Sequence, residues 1–202
     1  VTLDMAVEFD LHYEEVLSVS PNARPQFESY QATTVLGGQE LTQQLESTIG
    51  ATLAESPGIA VRAFGAAPSR PVIRGLDGDR VSVLEDGQRM GDLSSQSGDH
   101  GVPVNPAAAK RIEVVRGPAT LLHGASAIGG LVNVITDQIP TERQQGTSGD
   151  FTLDFGTNGS AGGGAGDIHV GNGNFAFHFG GAANRSGDYD TPEGTVDNSQ
   201  SR

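Results

Sequence analysis

Asp99 and His100 are the two residues whose types and spacing point most directly to chemistry. They are adjacent in a polar loop, residues 91–106, that is rich in Gly, Ser and Asp. Neighbouring side chains on a loop can both turn towards one ion, and a carboxylate beside an imidazole suits a borderline cation such as zinc. An Asp-His pair in a loop is also commonly solvated and nothing more. The pair therefore predicts a metal contact, with a solvated loop as the alternative.

Two further histidines are candidate metal ligands by residue type. His169 and His178 lie in short segments where apolar and polar residues alternate, and both fall on the less apolar side. Nothing else in the sequence marks them as ligands, so they are weaker candidates than the loop pair.

The sequence lacks the motifs of common enzyme classes. Residues 124–129 read GASAIG, in which the second Gly comes one residue too late for a nucleophile elbow. There is no phosphate-binding Gly-x-x-x-x-Gly-Lys loop and no His-Glu-x-x-His zinc motif. The carboxylates are scattered over loops, with nothing to tune one of them for proton transfer. We predict that the chain is not an enzyme, has no catalytic residue and binds no resident cofactor.

Composition limits the class of protein. The formal net charge of −13 argues against nucleic acid, since a binder needs clustered Lys and Arg to neutralise phosphates. The absence of Cys excludes disulfides and thiolate metal sites. Gly makes up 29 of 202 residues, about twice its usual share, which indicates many tight turns. Residues 1–10 lack the basic start of a signal peptide, so an exported protein would have to be present as a mature chain or a fragment.

Hydrophobic spacing predicts a small unit of short helices and strands before residue 140. Residues 1–34 look extended. One apolar helical stripe is formed by Leu41, Leu45, Ile49 and Leu53. Thr48 is a candidate start for a second helix, and Asn105 caps another short one. Short strands are predicted at 59–64, 72–74, 81–84, 112–115 and 131–135, with a turn at 85–87.

After Pro140 the pattern changes to alternation with a period of two. Large apolar side chains occupy every second position in three segments, at Phe151, Leu153 and Phe155, at Ile168 and Val170, and at Phe175, Phe177 and Phe179. Such alternation is the signature of transmembrane β-barrel strands, although a soluble antiparallel sheet shows it too. A barrel wide enough to hold another domain needs on the order of 22 strands. Only a few fit here, so we expect a fragment.

Two longer stretches carry a family resemblance. Residues 70–87 read RPVIRGLDGDRVSVLEDG, and residues 116–136 read RGPATLLHGASAIGGLVNVIT. Both resemble signatures of the plug domain of TonB-dependent outer-membrane receptors, in the expected order and at the expected distance. The resemblance covers roughly residues 14–140. It implies an α+β plug domain, with a small mixed sheet and short helices, followed by the first antiparallel strands of a truncated transmembrane β-barrel.

The resemblance also implies a domain organisation. Residues 1–34 would form an N-terminal extended segment with a TonB box, residues 35–140 the plug domain, and residues 141–202 the first strands of an incomplete outer-membrane β-barrel. In this organisation the polar segment from Ser186 begins an extracellular loop, and His169 and His178 face the barrel lumen.

The function that the resemblance implies is active transport. Such a receptor lies in the outer membrane of a Gram-negative bacterium, with the plug in the barrel lumen and the N-terminus in the periplasm. It binds a scarce ligand at the outer face. TonB then pulls on the N-terminal segment, using the inner-membrane proton gradient, and the plug shifts or partly unfolds. The expected partners are TonB, the remainder of the barrel, outer-membrane lipids and a small ligand or metal ion.

Matching the family's motifs to this sequence assigns roles to particular residues. The TonB box, which pairs with TonB as an added strand, would be Glu15, Val16, Leu17, Ser18, Val19 and Ser20. Arg74 and Arg116 would pair with barrel glutamates and hold the plug in the lumen. A disordered tail and a local turn contact are the respective alternatives. The loop with Asp99 and His100 resembles that of the zinc-uptake branch, which makes zinc or another metal ion the expected cargo, with a ferric siderophore or cobalamin as the alternative.

A secreted, acidic, Gly-rich calcium-binding repeat protein is the alternative from a different class. The composition fits it. The repeat does not, because residues 163–167 read GGAGD, with Asp one residue early for the nonapeptide repeat, and the run occurs once. The missing copies argue against this class.

Overall fold

The computed structural model describes residues 15–16, 24–25, 31–63, 69–91, 96–97, 100–117, 123, 127–136, 138–139, 145–188 and 190–197. Its strands are β1 Glu15–Val16, β2 Arg24–Pro25, β3 Ala32–Gly37, β4 Ile59–Ala63, β5 Ser69–Ile73, β6 Val81–Glu85, β7 Gln88–Arg89, β8 Ala109–Arg116, β9 Gly130–Thr136, β10 Gln145–Gly156, β11 Ala161–Asn172, β12 Ala176–Arg185, β13 Asp190–Thr191 and β14 Gly194–Thr195. The helices are α1 Gly38–Gln44 and α2 Ile49–Thr52, with 3₁₀ turns at Gly78–Arg80, Pro106–Ala108 and Asn158–Ser160. Within these ranges no helix is both long enough and apolar enough to cross a membrane.

A five-stranded sheet organises the first half of the chain. Its strand order is β3-β8-β9-β6-β7. β6 and β9 run parallel, while the other neighbours are antiparallel, so the sheet is mixed. β4 and β5 form a separate antiparallel hairpin beside it. We call this part, residues 32–136, the mixed-sheet unit, and its strands include all five that the sequence predicts there.

The core of the mixed-sheet unit lies between the sheet and the two helices. Ile112 and Val114 of β8 and Val132 and Val134 of β9 are fully buried, because alternate side chains of adjacent strands share a face. They pack with residues from the predicted helical stripe, of which Leu41, Ile49 and Leu53 are buried and Leu45 is partly buried. Burying one such aliphatic side chain contributes roughly 1.5–3 kcal/mol.

The apolar stripe is carried by two short helices. α1 ends at Gln44 and α2 begins at Ile49. Thr48 is the N-cap of α2, as the sequence predicts, because its hydroxyl accepts a hydrogen bond from the backbone N–H of Ala51. The predicted cap at Asn105 is also confirmed, and the short helix that follows is a 3₁₀ turn that starts at Pro106.

The predicted turn at 85–87 joins β6 to β7 and is tied to β9. Asp86 and Gly87 have φ values of +49° and +78°, as a tight hairpin turn requires. The Asp86 carboxylate accepts hydrogen bonds from the backbone N–H and the hydroxyl of Thr136, at 2.8 and 2.6 Å. Gly87 N–H donates to the side-chain oxygen of Asn133 at 3.0 Å. These bonds fix the end of β9 against the hairpin.

Three long antiparallel strands follow the mixed-sheet unit. They have the order β10-β11-β12, and each has ten or more residues. One face carries the predicted row of large apolar side chains, and these are exposed, with Phe151 at 73%, Phe155 at 82% and Phe179 at 67%. An exposed apolar face with an open strand edge needs a further covering surface, either lipid or protein.

We expect the 202-residue chain to aggregate more than a version that ends at Thr141. The physical reason is that the longer chain presents the apolar face of β10–β12 to water. The measurement is the monomer fraction of both versions after purification in detergent-free buffer. Replacing Phe151, Phe177 and Phe179 by Ser in the longer chain is the control, and it should recover monomer. Equal monomer fractions for the two versions would argue against a lipid-facing surface here.

Candidate functional site

Arg116 ends β8, and its guanidinium joins two other segments of the mixed-sheet unit. Nη1 donates to Thr34 Oγ1 in β3 at 2.7 Å, and Nη2 donates to the Pro57 carbonyl oxygen at 2.5 Å. Nε is buried and makes no hydrogen bond within the described part of the chain. Gly58, at φ +76°, lies against this side chain, since a Cβ there would be 3.5 Å from Nε. Arg116 thus connects β3, β8 and the turn after α2.

Arg74 places a second guanidinium beside that of Arg116. It follows β5 with a φ of +53°, which is uncommon for a residue with a side chain, and it is exposed. A Cβ on Gly117 would be 3.2 Å from Arg74 Nη1, so this guanidinium lies over the backbone of Gly117. Burial and, to a smaller extent, the charge of Arg74 lower the pKa of Arg116 from its usual value.

The two arginines form a cationic pair without a carboxylate in the described ranges. Other arginines pair with carboxylates there, namely Arg62 and Arg70 with Asp77, Arg89 with Asp79, and Arg111 with Glu113. Adjacent like charges repel, and planar guanidinium groups favour bidentate carboxylates. The pair is therefore suited to carboxylates that come from outside the described residues.

The loop pair is only partly described. His100 is exposed, and its backbone N–H donates to the Ser97 carbonyl oxygen at 3.3 Å. Asp99 lies outside the described residues. Val104, four residues after His100, is buried in the core of the mixed-sheet unit. The loop is therefore anchored at its C-terminal end, and the imidazole of His100 is accessible to a ligand.

The TonB-box residues are described in part as well. Glu15 and Val16 form β1, which pairs antiparallel with β2, Val16 opposite Arg24 and Glu15 opposite Pro25. Leu17 to Ser20 lie outside the described residues. An isolated two-residue ladder is marginal in stability, so another strand could replace it.

One cluster was missed by reasoning from sequence. Asp167, His169 and His178 offer ligand atoms that all lie within 4.8 Å of one another. Both histidines are on the less apolar face, as predicted, but Asp167 was not recognised. The available signal was the spacing of two residues between Asp167 and His169, which places both side chains on one face of a strand.

A family model described as the TonB-dependent Receptor Plug Domain matches residues 25–131. The chain belongs to the TonB-dependent receptor plug-domain family. The matched range includes the first predicted motif, most of the second, and the strands of the mixed sheet up to the beginning of β9. The mixed-sheet unit is therefore the plug, and the receptor lies in the outer membrane of a Gram-negative bacterium, as predicted.

Two curated relatives of this plug are hemin receptors. The chain is 32% identical over 139 residues to the hemin receptor of Yersinia pestis, a match that covers 68% of this chain and 20% of the relative. It is 31% identical over 122 residues to the hemin receptor of Yersinia enterocolitica, a match that covers 60% of this chain and 18% of the relative. The chain thus spans about a fifth of the length of the curated relatives it matches.

Solved receptor structures share the fold of the plug and the strands after it. The copper transporter OprC superimposes with a TM-score of 0.70 at 26% identity, over 83% of this chain and 26% of that one. The pyoverdine receptor FpvA of Pseudomonas aeruginosa superimposes with a TM-score of 0.69 at 19% identity, over 87% of this chain and 25% of that one. The alcaligin receptor FauA of Bordetella pertussis superimposes with a TM-score of 0.66 at 21% identity, over 86% of this chain and 30% of that one. The last two show likeness of fold alone.

These findings confirm the predicted fold class, a plug with a mixed sheet and short helices followed by antiparallel strands. The family consists of transport receptors rather than enzymes. The domain bounds at residues 34 and 140, the roles of Arg74 and Arg116, the TonB box and the metal contact at Asp99 and His100 stay predictions. So does zinc as the transported ion.

Proposed function

We propose that the receptor containing this chain imports a scarce metal ion, with zinc as the first candidate, by TonB-dependent transport across the outer membrane. The observation that carries the proposal is the plug-family match over residues 25–131. The exposed, anchored loop at His100 supports a metal ion as the ligand. Zinc favours imidazole and carboxylate donors, and two ligands from the plug leave room for others from barrel loops.

The plug would obstruct the lumen until TonB acts on it. Arg74 and Arg116 would make bidentate bonds to carboxylates on the barrel wall, which fits two adjacent guanidinium groups with no described carboxylate near them. TonB would add as a strand to the segment from Glu15 to Ser20 and pull. Because β2 pairs with β1 over two residues only, little free energy opposes the replacement of β2 by a strand of TonB.

The loop pair is tested by zinc calorimetry on the intact receptor. Replacing Asp99 and His100 by Ala should weaken zinc binding at the outer-face site by at least about tenfold, since two ligands are lost. A matched control is Gln96→Ala, an exposed position on the same loop. Acidification should weaken binding to the wild type, because an imidazole must be neutral to ligate a metal. Unchanged binding and import of zinc in the double variant would remove these residues from the ligand site.

Hemin is the second candidate ligand, because the two curated relatives at 31–32% identity are hemin receptors. A ferric siderophore or cobalamin is the remaining alternative. Hemin binding is read from the shift of its absorption band when it is added to the purified receptor. A receptor that takes up hemin and not zinc would replace the first candidate by the second.

A further inference from the structure

The strands after the plug have two chemically different faces. The register pairs Asp167 of β11 with Gly180 of β12, and His169 with His178. Directly opposed residues project to the same side of an antiparallel sheet, so these four positions share one face. Asp150 and Asp154 of β10 lie on that face too. The other face carries the exposed phenylalanines, including Phe151, Phe177 and Phe179.

Asp167, His169 and His178 converge on this polar face. His169 Nε2 lies 2.9 Å from Asp167 Oδ2, and the ring centroids of the two histidines are 4.6 Å apart at an angle of 38°. His169 is 6% exposed, although it lies in a sheet whose neighbouring positions are mostly half-buried or exposed. Two imidazoles and one carboxylate are thus brought together, and the imidazole of His169 is largely removed from water.

Gly180 makes room for this convergence. A Cβ at Gly180 would be 3.0 Å from His178 Cε1, 3.1 Å from His178 Nε2 and 3.4 Å from Asp167 Cβ. The His178 ring therefore leans across the space above Gly180 towards Asp167, which is its diagonal neighbour. A Cβ at Gly180 would displace the imidazole by a few tenths of an ångström, so the glycine favours the meeting of the three ligand atoms.

We propose that Asp167, His169 and His178 form a binding site for a divalent transition-metal ion, zinc in the first instance, on the polar face of β11 and β12. Donor atoms around tetrahedral zinc lie about 3.4 Å apart, since each is about 2.1 Å from the ion. The ligand atoms here are within 4.8 Å of one another, so small side-chain rotations bring them to the ion. Three protein ligands leave the fourth position for water or for the transported ligand.

The donor set selects the class of ion. Imidazole nitrogen suits zinc, copper and nickel, whereas calcium and magnesium prefer oxygen ligands only. The site shares no residue with the loop pair in the plug, and it does not depend on which ligand the receptor transports. It depends on the strand pairing, because the register places the three residues on one face, and on Gly180, which leaves space for the His178 ring.

The test uses the intact receptor in detergent, with Asp99 and His100 replaced by Ala so that the loop pair is absent. Bound metal is first removed by chelation. Co²⁺ is then titrated in, and its visible absorption reports how much of it is tetrahedrally coordinated. Zn²⁺ is added last, and the loss of that absorption reports the displacement of Co²⁺. We expect the receptor that lacks the loop pair to bind one tetrahedral Co²⁺ ion. Adding Asp167→Asn or His178→Ala should weaken that binding by at least about tenfold. Asp154→Asn is the matched control, because it removes the same charge from the same face and should leave this binding unchanged.

Unchanged Co²⁺ affinity and stoichiometry in the Asp167 and His178 variants would overturn the proposal. If either variant fails to fold, X-ray absorption of Zn²⁺ bound to the background receptor decides, and it should show two imidazole ligands. One imidazole or none would overturn the proposal. Since these measurements report equilibrium binding and not import, a receptor that transports hemin or a siderophore would leave their outcome unaffected.

Discussion

Replacing Val16 by Pro should reduce energy-dependent ligand uptake by about tenfold or more, while ligand binding at the cell surface persists. Proline removes the backbone donor at this position and fixes φ, so an added strand loses a ladder hydrogen bond. The exchange of β2 for a strand of TonB depends on such bonds, because a short extended segment has few other contacts to offer. The measurement is uptake by whole cells, together with surface binding at low temperature.

Val16→Thr is the matched control for the proline variant. Threonine is β-branched, keeps the backbone N–H and favours extended structure, so uptake should stay near the wild-type level. Leu17→Pro should behave like Val16→Pro. Normal uptake in both proline variants would show that TonB engages a different segment of the chain.

Replacing Arg116 by Ala should destabilise the plug by about 2 kcal/mol, since hydrogen bonds from a charged group to Thr34 and Pro57 are lost. Amide hydrogen exchange in β3 and β8 of the intact receptor should then accelerate about 30-fold. Arg74→Ala is the matched comparison. Arg74 is exposed, so its loss should change the stability of the plug by about 0.5 kcal/mol or less. Amide exchange within the plug should therefore change little.

Both arginine variants should nevertheless loosen the plug in the barrel, because each would lose a bond to a barrel carboxylate. The readout is entry of a large antibiotic that the closed receptor excludes, and we expect greater sensitivity with either variant. If only Arg116→Ala increases sensitivity, the effect comes from instability of the plug, and Arg74 has no barrel partner.

Local patterns were sufficient to predict the plug's main elements. The stripe from Leu41 to Leu53 and the strands around Ile112 and Val132 are specified by their own spacing, and they form the core, with Leu45 partly buried against it. Helix bounds were less predictable. The stripe reads as one period across residues 41–53, and only the candidate cap at Thr48 marked the start of a second helix, which the structure confirms.

The arrangement of candidate site residues depended on contacts distant in sequence. Thr34 and Arg116 are 82 positions apart, and only the pairing of β3 with β8 brings them together. The cluster at Asp167 depends on the register between β11 and β12, which alternation alone does not specify. The sequence therefore predicted the faces of His169 and His178 but not their carboxylate neighbour.

The central proposal, TonB-dependent import of a metal ion, is tested most directly by zinc accumulation in cells that produce the full receptor. Three strains are compared under zinc limitation. The first produces the wild-type receptor, and the second produces the receptor with Asp99 and His100 replaced by Ala. The third produces the wild-type receptor but lacks TonB. We predict that only the first accumulates zinc above the level of cells without the receptor. Equal accumulation in the strain without TonB, or no accumulation in any of the three, would contradict the proposal.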